Sequence, residues 1–235
     1  MSLGFIHGVM NTDNMSICGE TLDFGPCAFM DKFSFNKVFS SIDSQGRYAY
    51  NNQTSIAKWN LFRLAECLVP LVHKDTDTAI KLTQDYVNGF SDIYEEKSVI
   101  ELIKKIGLFE VKNLEEDEKI VLTFLEYLQE NELDFTQSFR KLSASICDPS
   151  ITFKNSPTFE KFKTLWSERL KLQNKSNTDI VNLMNSVNPV FIPRNHQVEK
   201  AIQSAIIGDY NLFHELSECL KKPFKKRDRF SKFEA

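Results

Sequence analysis

From about residue 50 onward the apolar positions recur with a helical period. Ile56, Trp59, Phe62, Leu64, Leu68 and Leu71 fall near one face at about 3.6 residues per turn, predicting a helix over roughly 54–72. A second helical pattern covers about 75–106 and is interrupted near Gly89. Asn113 with Glu116, and Asp134 with Gln137, read as capping boxes opening two further helices, the first running to about Glu130. Ser156-Pro157 is an N-cap followed by proline at the first helical position, and starts a helix to about Gln173. Asn177 opens a shorter one. "NPVFIPRNH" reads as an extended link, then helices over 197–207 and 210–221, with Asn195 capping the first and His196 in its first turn. One stretch breaks the helical pattern. In "MSICGETLDF" two short apolar–polar alternations flank Gly19-Glu20, and glycine at the first turn position suits a type II′ hairpin. The fold class is therefore mainly α, with a small β-hairpin at the N-terminal edge.

Composition narrows the picture. A chain of 235 residues, 42% hydrophobic and 26% charged, is long enough to bury a sizeable core. A formal net charge of −3 argues against nucleic-acid binding, which wants a basic face. No apolar run approaches the roughly 20 residues that span a bilayer, and "MSLGFIHG" lacks the pattern of a signal peptide. Membrane and nucleic acid are thus not expected partners. The five cysteines are odd in number and widely spaced, with no C-x-x-C, so neither a disulfide framework nor a zinc site is indicated. They read as reduced thiols, mostly packed, of an intracellular protein, cytoplasmic or, in a eukaryote, mitochondrial. Met1–Leu3 reads as a cloning scar.

Candidate chemistry lies near the front. Asp23-Phe24-Gly25 looks like the magnesium-binding turn of a protein kinase, and His7-Gly8-Val9 followed by Asn14 keeps the kinase catalytic-loop frame, but with valine at the position of the catalytic base. A hairpin between Asn14 and Asp23 brings an amide carbonyl and a carboxylate together, the hard oxygen donors that magnesium takes beside phosphate and water. Asp13 is the only carboxylate within the loop and the candidate base; its plainer reading is a turn residue bonding its own backbone. His7 reads as a brace beneath the metal turn. No Gly-rich loop and no lysine-bearing strand precede the site, so the chain reads as a C-lobe cut ahead of its catalytic loop, with the N-lobe absent.

Three stretches carry a resemblance. "HGVMNTDNMSICGETLDFGPCAFMD", "QGRYAYNNQTSIAKWNLFRLAECLVPL" and "NPVFIPRNHQVEKAI" together resemble the selenoprotein O family of pseudokinase-like protein adenylyltransferases, over residues 4 to about 224. The resemblance implies a protein-kinase-like C-lobe over 4–224, followed by a basic tail at 225–235. It implies that ATP binds in a flipped orientation and that AMP moves to a Ser, Thr or Tyr hydroxyl of a protein substrate. It gives Asp13 the role of proton acceptor, makes Asn14 and Asp23 ligands of Mg2+, and sets Asp23 beside the nucleotide. The N-lobe residues that clamp ATP are missing, so the isolated chain is expected to be inactive; the family's cysteine- or selenocysteine-bearing tail is missing too. The alternative is a catalytically dead pseudokinase serving as a binding scaffold, against which the retained Asp13, Asn14 and Asp23 argue. Two further features stay open or plain. Arg47 in "QGRYAY" either meets a phosphate or protein substrate or sits in an aromatic-anchored turn. The basic C-terminal residues Lys221–Arg229 read as a solvated tail.

Overall fold

The structure, a computed structural model, describes residues 1–234. In chain order it contains β1 (Phe5–Ile6), a 3-10 turn at Thr12–Asn14, β2 (Ala28–Phe29), a 3-10 turn at Tyr50–Asn52, then α1 (Gln53–Val72), α2 (Thr76–Asn88), α3 (Phe90–Lys105), α4 (Leu114–Glu130), α5 (Phe135–Ser145), α6 (Pro157–Lys171), α7 (Asn177–Val187), α8 (Asn195–Ile206), α9 (Asn211–Leu220) and a last 3-10 stretch, Asp228–Phe233. Helix makes up 59% and strand 3%, so the mainly α class holds. Among the described residues no helix is long and apolar enough to cross a membrane.

Helix starts follow their caps. The side chains of Asp75, Asn113, Asp134 and Ser156 accept from Thr78 N, Glu116 N, Gln137 N and Phe159 N, each satisfying a backbone donor that the first turn leaves unpaired. The break at Gly89 separates α2 from α3. α7 opens at Asn177 as the sequence predicts, with Ser176 as its cap. α8 departs from expectation: Arg194 holds the cap position without a side-chain cap bond, and Asn195 is the first helical residue. The Arg194 guanidinium is instead committed to Asp31 and to Asp134, the latter at 2.6 Å.

The hairpin also differs. Between Asn14 and Asp23 the pairing is a single antiparallel bridge, Met15↔Thr21, with Gly19 at φ +77° in the turn it closes. A two-residue turn at Gly19-Glu20 would pair Cys18 with Thr21; the observed register encloses a longer loop. The sheet proper is two-stranded, β1 with β2, on either side of this loop in sequence.

Two compact units divide the chain. One comprises Met1–Phe5, Ala28–Ser34 and Val99 onward. In it α4 packs on α6, α5 on α7 and α8 on α9. Its centre is aromatic: Phe124 meets Phe162 at 4.7 Å and Phe139 at 5.2 Å between centroids, and Phe162 stacks on Trp166 at 5.4 Å. A buried ion pair, Arg169 Nε to Asp117 Oδ1 at 2.6 Å, ties α6 to α4. The C-terminal stretch belongs to this unit: Lys221, Lys222, Lys225, Lys226 and Arg229 are exposed, while the phenylalanines that follow them are packed. Phe230 and Phe233 are 3% and 1% exposed in a cluster with Val190, Phe191, Leu216 and Cys219. The charge run had masked this spacing: residues three apart share one face of a 3-10 turn.

The other unit holds Ile6–Cys27 and Phe35–Ser98, with α1 packed on α2. Along α1 only Gln53, Ile56 and Asn60 are buried, while Leu64, Leu68 and Leu71 are 39%, 41% and 81% exposed. The apolar stripe is where periodicity predicts it, but within the described chain most of it has no cover. Period reports which face is apolar, not whether something lies against it.

Candidate functional site

The site is built on residues 7–25 of this second unit, beginning with His7. His7 is 6% exposed. Val9 N–H donates to its Nδ1 at 3.4 Å, which assigns the ring proton to Nε2, and Nε2–H donates to Leu22 O at 2.5 Å. His7 N–H donates to Gln53 Oε1 at 3.0 Å, at the start of α1. The imidazole thus braces the residue before Asp23 from below, as its position in the kinase frame predicts. Gly8 permits the crossing. At φ +89° a Cβ on it would lie 2.9 Å from Pro26 O, a clash with backbone.

Beyond Val9 the chain makes its tight turn at Thr12–Asn14, closed by Asn14 N–H donating to Asn11 O at 3.0 Å. Asn14 Nδ2 donates to Val9 O at 3.1 Å, which fixes the amide and leaves Oδ1 as its free acceptor. Asp13 stands exposed on this turn, without an ion pair or hydrogen bond to its carboxylate among the described residues. From α1, buried Asn60 reaches under the loop: Nδ2 donates to Met10 O at 2.9 Å and touches Met15 Sδ at 2.7 Å. One side chain therefore holds both ends of the segment that carries Asp13 and Asn14. A second tether comes from the following loop, where Tyr48 OH donates to Asn11 Oδ1. That loop is itself closed by Asp43, whose carboxylate accepts from Arg47 N at 2.8 Å and Tyr48 N at 2.7 Å. Arg47 lies over the Trp59 ring at 4.9 Å and over Tyr48 at 5.7 Å, the aromatic-anchored turn of its two readings.

Asp23 is exposed, with φ at 51°, a left-handed conformation that aspartate tolerates better than most residues. No cation pairs with it among the described residues. The Met15↔Thr21 bridge and the His7 contact with Leu22 O tie down both ends of the segment between Asn14 and Asp23. No cluster of three or more His, Cys, Asp or Glu suited to a metal occurs among the described residues. The candidate oxygen donors are Asn14 Oδ1 and the exposed Asp23 carboxylate. That set suits magnesium, which takes one or two protein oxygens and completes its octahedron with substrate phosphates and water.

Comparison with known proteins decides the family. The family model described as "Protein adenylyltransferase SelO" matches residues 1–221. The chain belongs to the SelO family. Among curated relatives, the protein nucleotidyltransferase YdiU of Bacillus mycoides (strain KBAB4) is 46% identical over 224 residues, covering 95% of this chain and 45% of the relative. The YdiU protein of Bacillus cereus (strain AH820) is 44% identical over 223 residues, covering 94% and 45%. The chain thus spans about half the length of the curated relatives it matches.

Reading the sequence for SelO chemistry misses the residues that hold the loop. Asn60 interrupts the apolar stripe of α1 with a polar side chain, and Gln53 opens the same helix. A polar residue on a buried helical face is the signal that finds such a clamp, because it must have a partner there.

Proposed function

We propose that this chain is the catalytic-loop-bearing, protein-kinase-like C-lobe of an intracellular, magnesium-dependent protein adenylyltransferase. The acceptor is a Ser, Thr or Tyr hydroxyl of a protein, and the donor is ATP. The hydroxyl oxygen attacks the α-phosphorus of ATP and forms a new P–O bond. The bond from that phosphorus to the bridging oxygen of the β-phosphate breaks, pyrophosphate leaves, and the hydroxyl proton passes to the Asp13 carboxylate. Asn14 and Asp23 would hold Mg2+, which when bound offsets charge on the phosphates. Val9, in the kinase base position, takes no part in proton transfer; its carbonyl fixes the Asn14 amide instead.

One observation supports this reading above the rest. The loop is clamped from beneath by His7, Asn60 and Tyr48, while the carboxylates of Asp13 and Asp23 remain exposed and uncommitted. A scaffold would gain nothing from unpaired acids on two tethered turns. The relatives are about twice as long, and this chain carries no Gly-rich phosphate loop, so nucleotide binding also calls on residues outside it. The test uses the complete enzyme. Asp23→Ala should abolish both magnesium-dependent ATP binding and turnover, and Asn14→Ala should weaken both less, because water substitutes in part for a neutral ligand. Asp13→Ala should leave ATP binding intact and lower the rate by roughly a hundred- to ten-thousand-fold, the usual worth of a positioned proton acceptor. Undiminished turnover in Asp13→Ala removes the base assignment.

A further inference from the structure

Beside the Asp13 turn lies an open groove of about 310 Å3, at the low end of the roughly 300–1,000 Å3 typical of ligand pockets. Thr12, Met15 and Ile17 form its loop side; Asn60, Leu64 and Cys67 form its α1 side. The walls are mostly apolar, and two of them stand open: Ile17 is 89% exposed and Leu64 39%. One polar atom is out of place. Asn60 is 6% exposed, and although its Nδ2 is spent on Met10 O, its Oδ1 has no hydrogen-bond partner among the described residues. A buried acceptor left unpaired is uncommon in folded proteins and points to a donor that arrives with a ligand.

The groove is poorly suited to the phosphates of a nucleotide. Its one cationic wall residue, Arg63, is neutralised by Glu66 at 2.6 Å. Its position suits the second substrate. Thr12 is in its wall, and Asp13 is the next residue, with adjacent Cα atoms about 3.8 Å apart. Any polypeptide that brings a hydroxyl to Asp13 must lie along this turn. An extended segment advances about 3.3 Å per residue, so side chains one or two positions from the hydroxyl come within reach of the groove.

We propose that this groove, between the Asp13 turn and the middle of α1, is the acceptor-recognition site. It takes an apolar side chain of the protein substrate one or two positions from the modified hydroxyl, and Asn60 Oδ1 accepts a backbone N–H of the same segment. The proposal rests on the adenylyltransferase reading given above. It adds a substrate class: hydroxyls flanked by Leu, Ile, Met or Phe in an extended stretch.

The test is steady-state AMP transfer by the complete enzyme to serine peptides that carry Leu, Asp or Lys at each position from two before to two after the serine. The wild-type enzyme should prefer Leu over Asp by at least about tenfold in kcat/KM at one of these positions. Leu64→Glu should lose that preference and gain one for Lys at the same position, with KM for ATP unchanged. Cys67→Trp, which fills the groove without adding charge, should raise the peptide KM alone and serves as the check should Leu64→Glu fold poorly. Independently of turnover, the Leu peptide should slow alkylation of Cys67 by iodoacetamide and the Asp peptide should not. A wild-type enzyme that transfers AMP with no flanking preference, or variants whose peptide preference is unchanged, would overturn the proposal and leave the adenylyltransferase reading standing. Both variants losing ATP binding and melting early would also overturn it, because the groove would then be covered by the enzyme's own chain. No AMP transfer to any peptide or protein would fail the underlying reading, and this one with it.

Discussion

Asn60 offers the sharpest mechanical test of how the loop is held. Its Nδ2 donates to Met10 O at 2.9 Å from a residue that is 6% exposed, so Asn60→Ala removes a buried donor and leaves a carbonyl seeking a partner. An orphaned buried group costs about 1–3 kcal/mol. Met10 itself is only partly buried, so water can reach it and the lower half of that range applies, about 1–2 kcal/mol. For a domain of this size each kcal/mol moves the melting temperature by roughly 2–4 °C, giving a fall of about 2–8 °C. The effect on rate should be larger than the effect on stability implies. Releasing both ends of the Asp13 turn lets the proposed base drift, and a misplacement of about 1 Å costs on the order of a hundredfold. Turnover by the complete enzyme should fall roughly ten- to a hundredfold while ATP affinity changes little, since Asn60 touches no nucleotide ligand. Asn60→Asp is the discriminating partner. It keeps the size and the Oδ1 acceptor but sets a second oxygen against Met10 O, so it should melt no higher than Asn60→Ala. Thermal melts and initial rates on both variants provide the assay. An Asn60→Asp enzyme that melts and turns over like wild type would show that the side chain does not donate to the loop, and the clamp would be wrong.

Three other outcomes follow from named contacts. Asp117→Ala strands the Arg169 guanidinium, 7% exposed, without its carboxylate, and should cost about 3–5 kcal/mol in urea unfolding; a change below 1 kcal/mol would refute the pairing. Burial holds Lys105 down to about 7, against the rings of Phe135 and Phe139. Between about pH 7 and the ordinary lysine range the unfolded chain binds the proton and the folded chain does not, so stability should rise with pH across that window. Lys105→Met should flatten the rise in urea midpoint from pH 7 to 9.5; the Met1 amino group, lowered chiefly by burial and further by the Lys105 charge, keeps its burial in both proteins and leaves a smaller rise, and an unchanged rise would refute the assignment. The 235-residue chain alone should bind ATP with magnesium too weakly for calorimetry at micromolar concentrations, and micromolar affinity would sink the need for a further nucleotide clamp.

Much of the fold is legible because helix punctuation is local. Asn113, Asp134 and Ser156 cap the helices they announce, since a side-chain oxygen three residues ahead of a free N–H needs no tertiary information. Asn195 fails because a long-range pairing decides there: Arg194, 163 residues from Asp31 in sequence, is drawn to two carboxylates and shifts the helix start. The hairpin register fails for a similar reason, since the His7 contact with Leu22 O and the Asn60 contact with Met15 set the strands rather than the Gly19 turn alone. At the candidate site, the proposed residues Asp13, Asn14 and Asp23 stand out in the sequence by their spacing, whereas the residues that hold their loop do not. Asn60 and Tyr48 act from 50 and 37 positions away, and their partners are backbone or amide groups that leave no motif.

Which phosphate of ATP moves decides between this account and an ordinary kinase. The complete enzyme is incubated with a protein substrate, magnesium and ATP labelled in either the α- or the γ-phosphate, and label on the protein is counted after removal of free nucleotide. Label should transfer from the α-position and not from the γ-position, with release of pyrophosphate and loss of the α-signal in Asp13→Ala and Asp23→Ala. Transfer from the γ-position would contradict the adenylyltransferase reading and return the site to phosphoryl transfer.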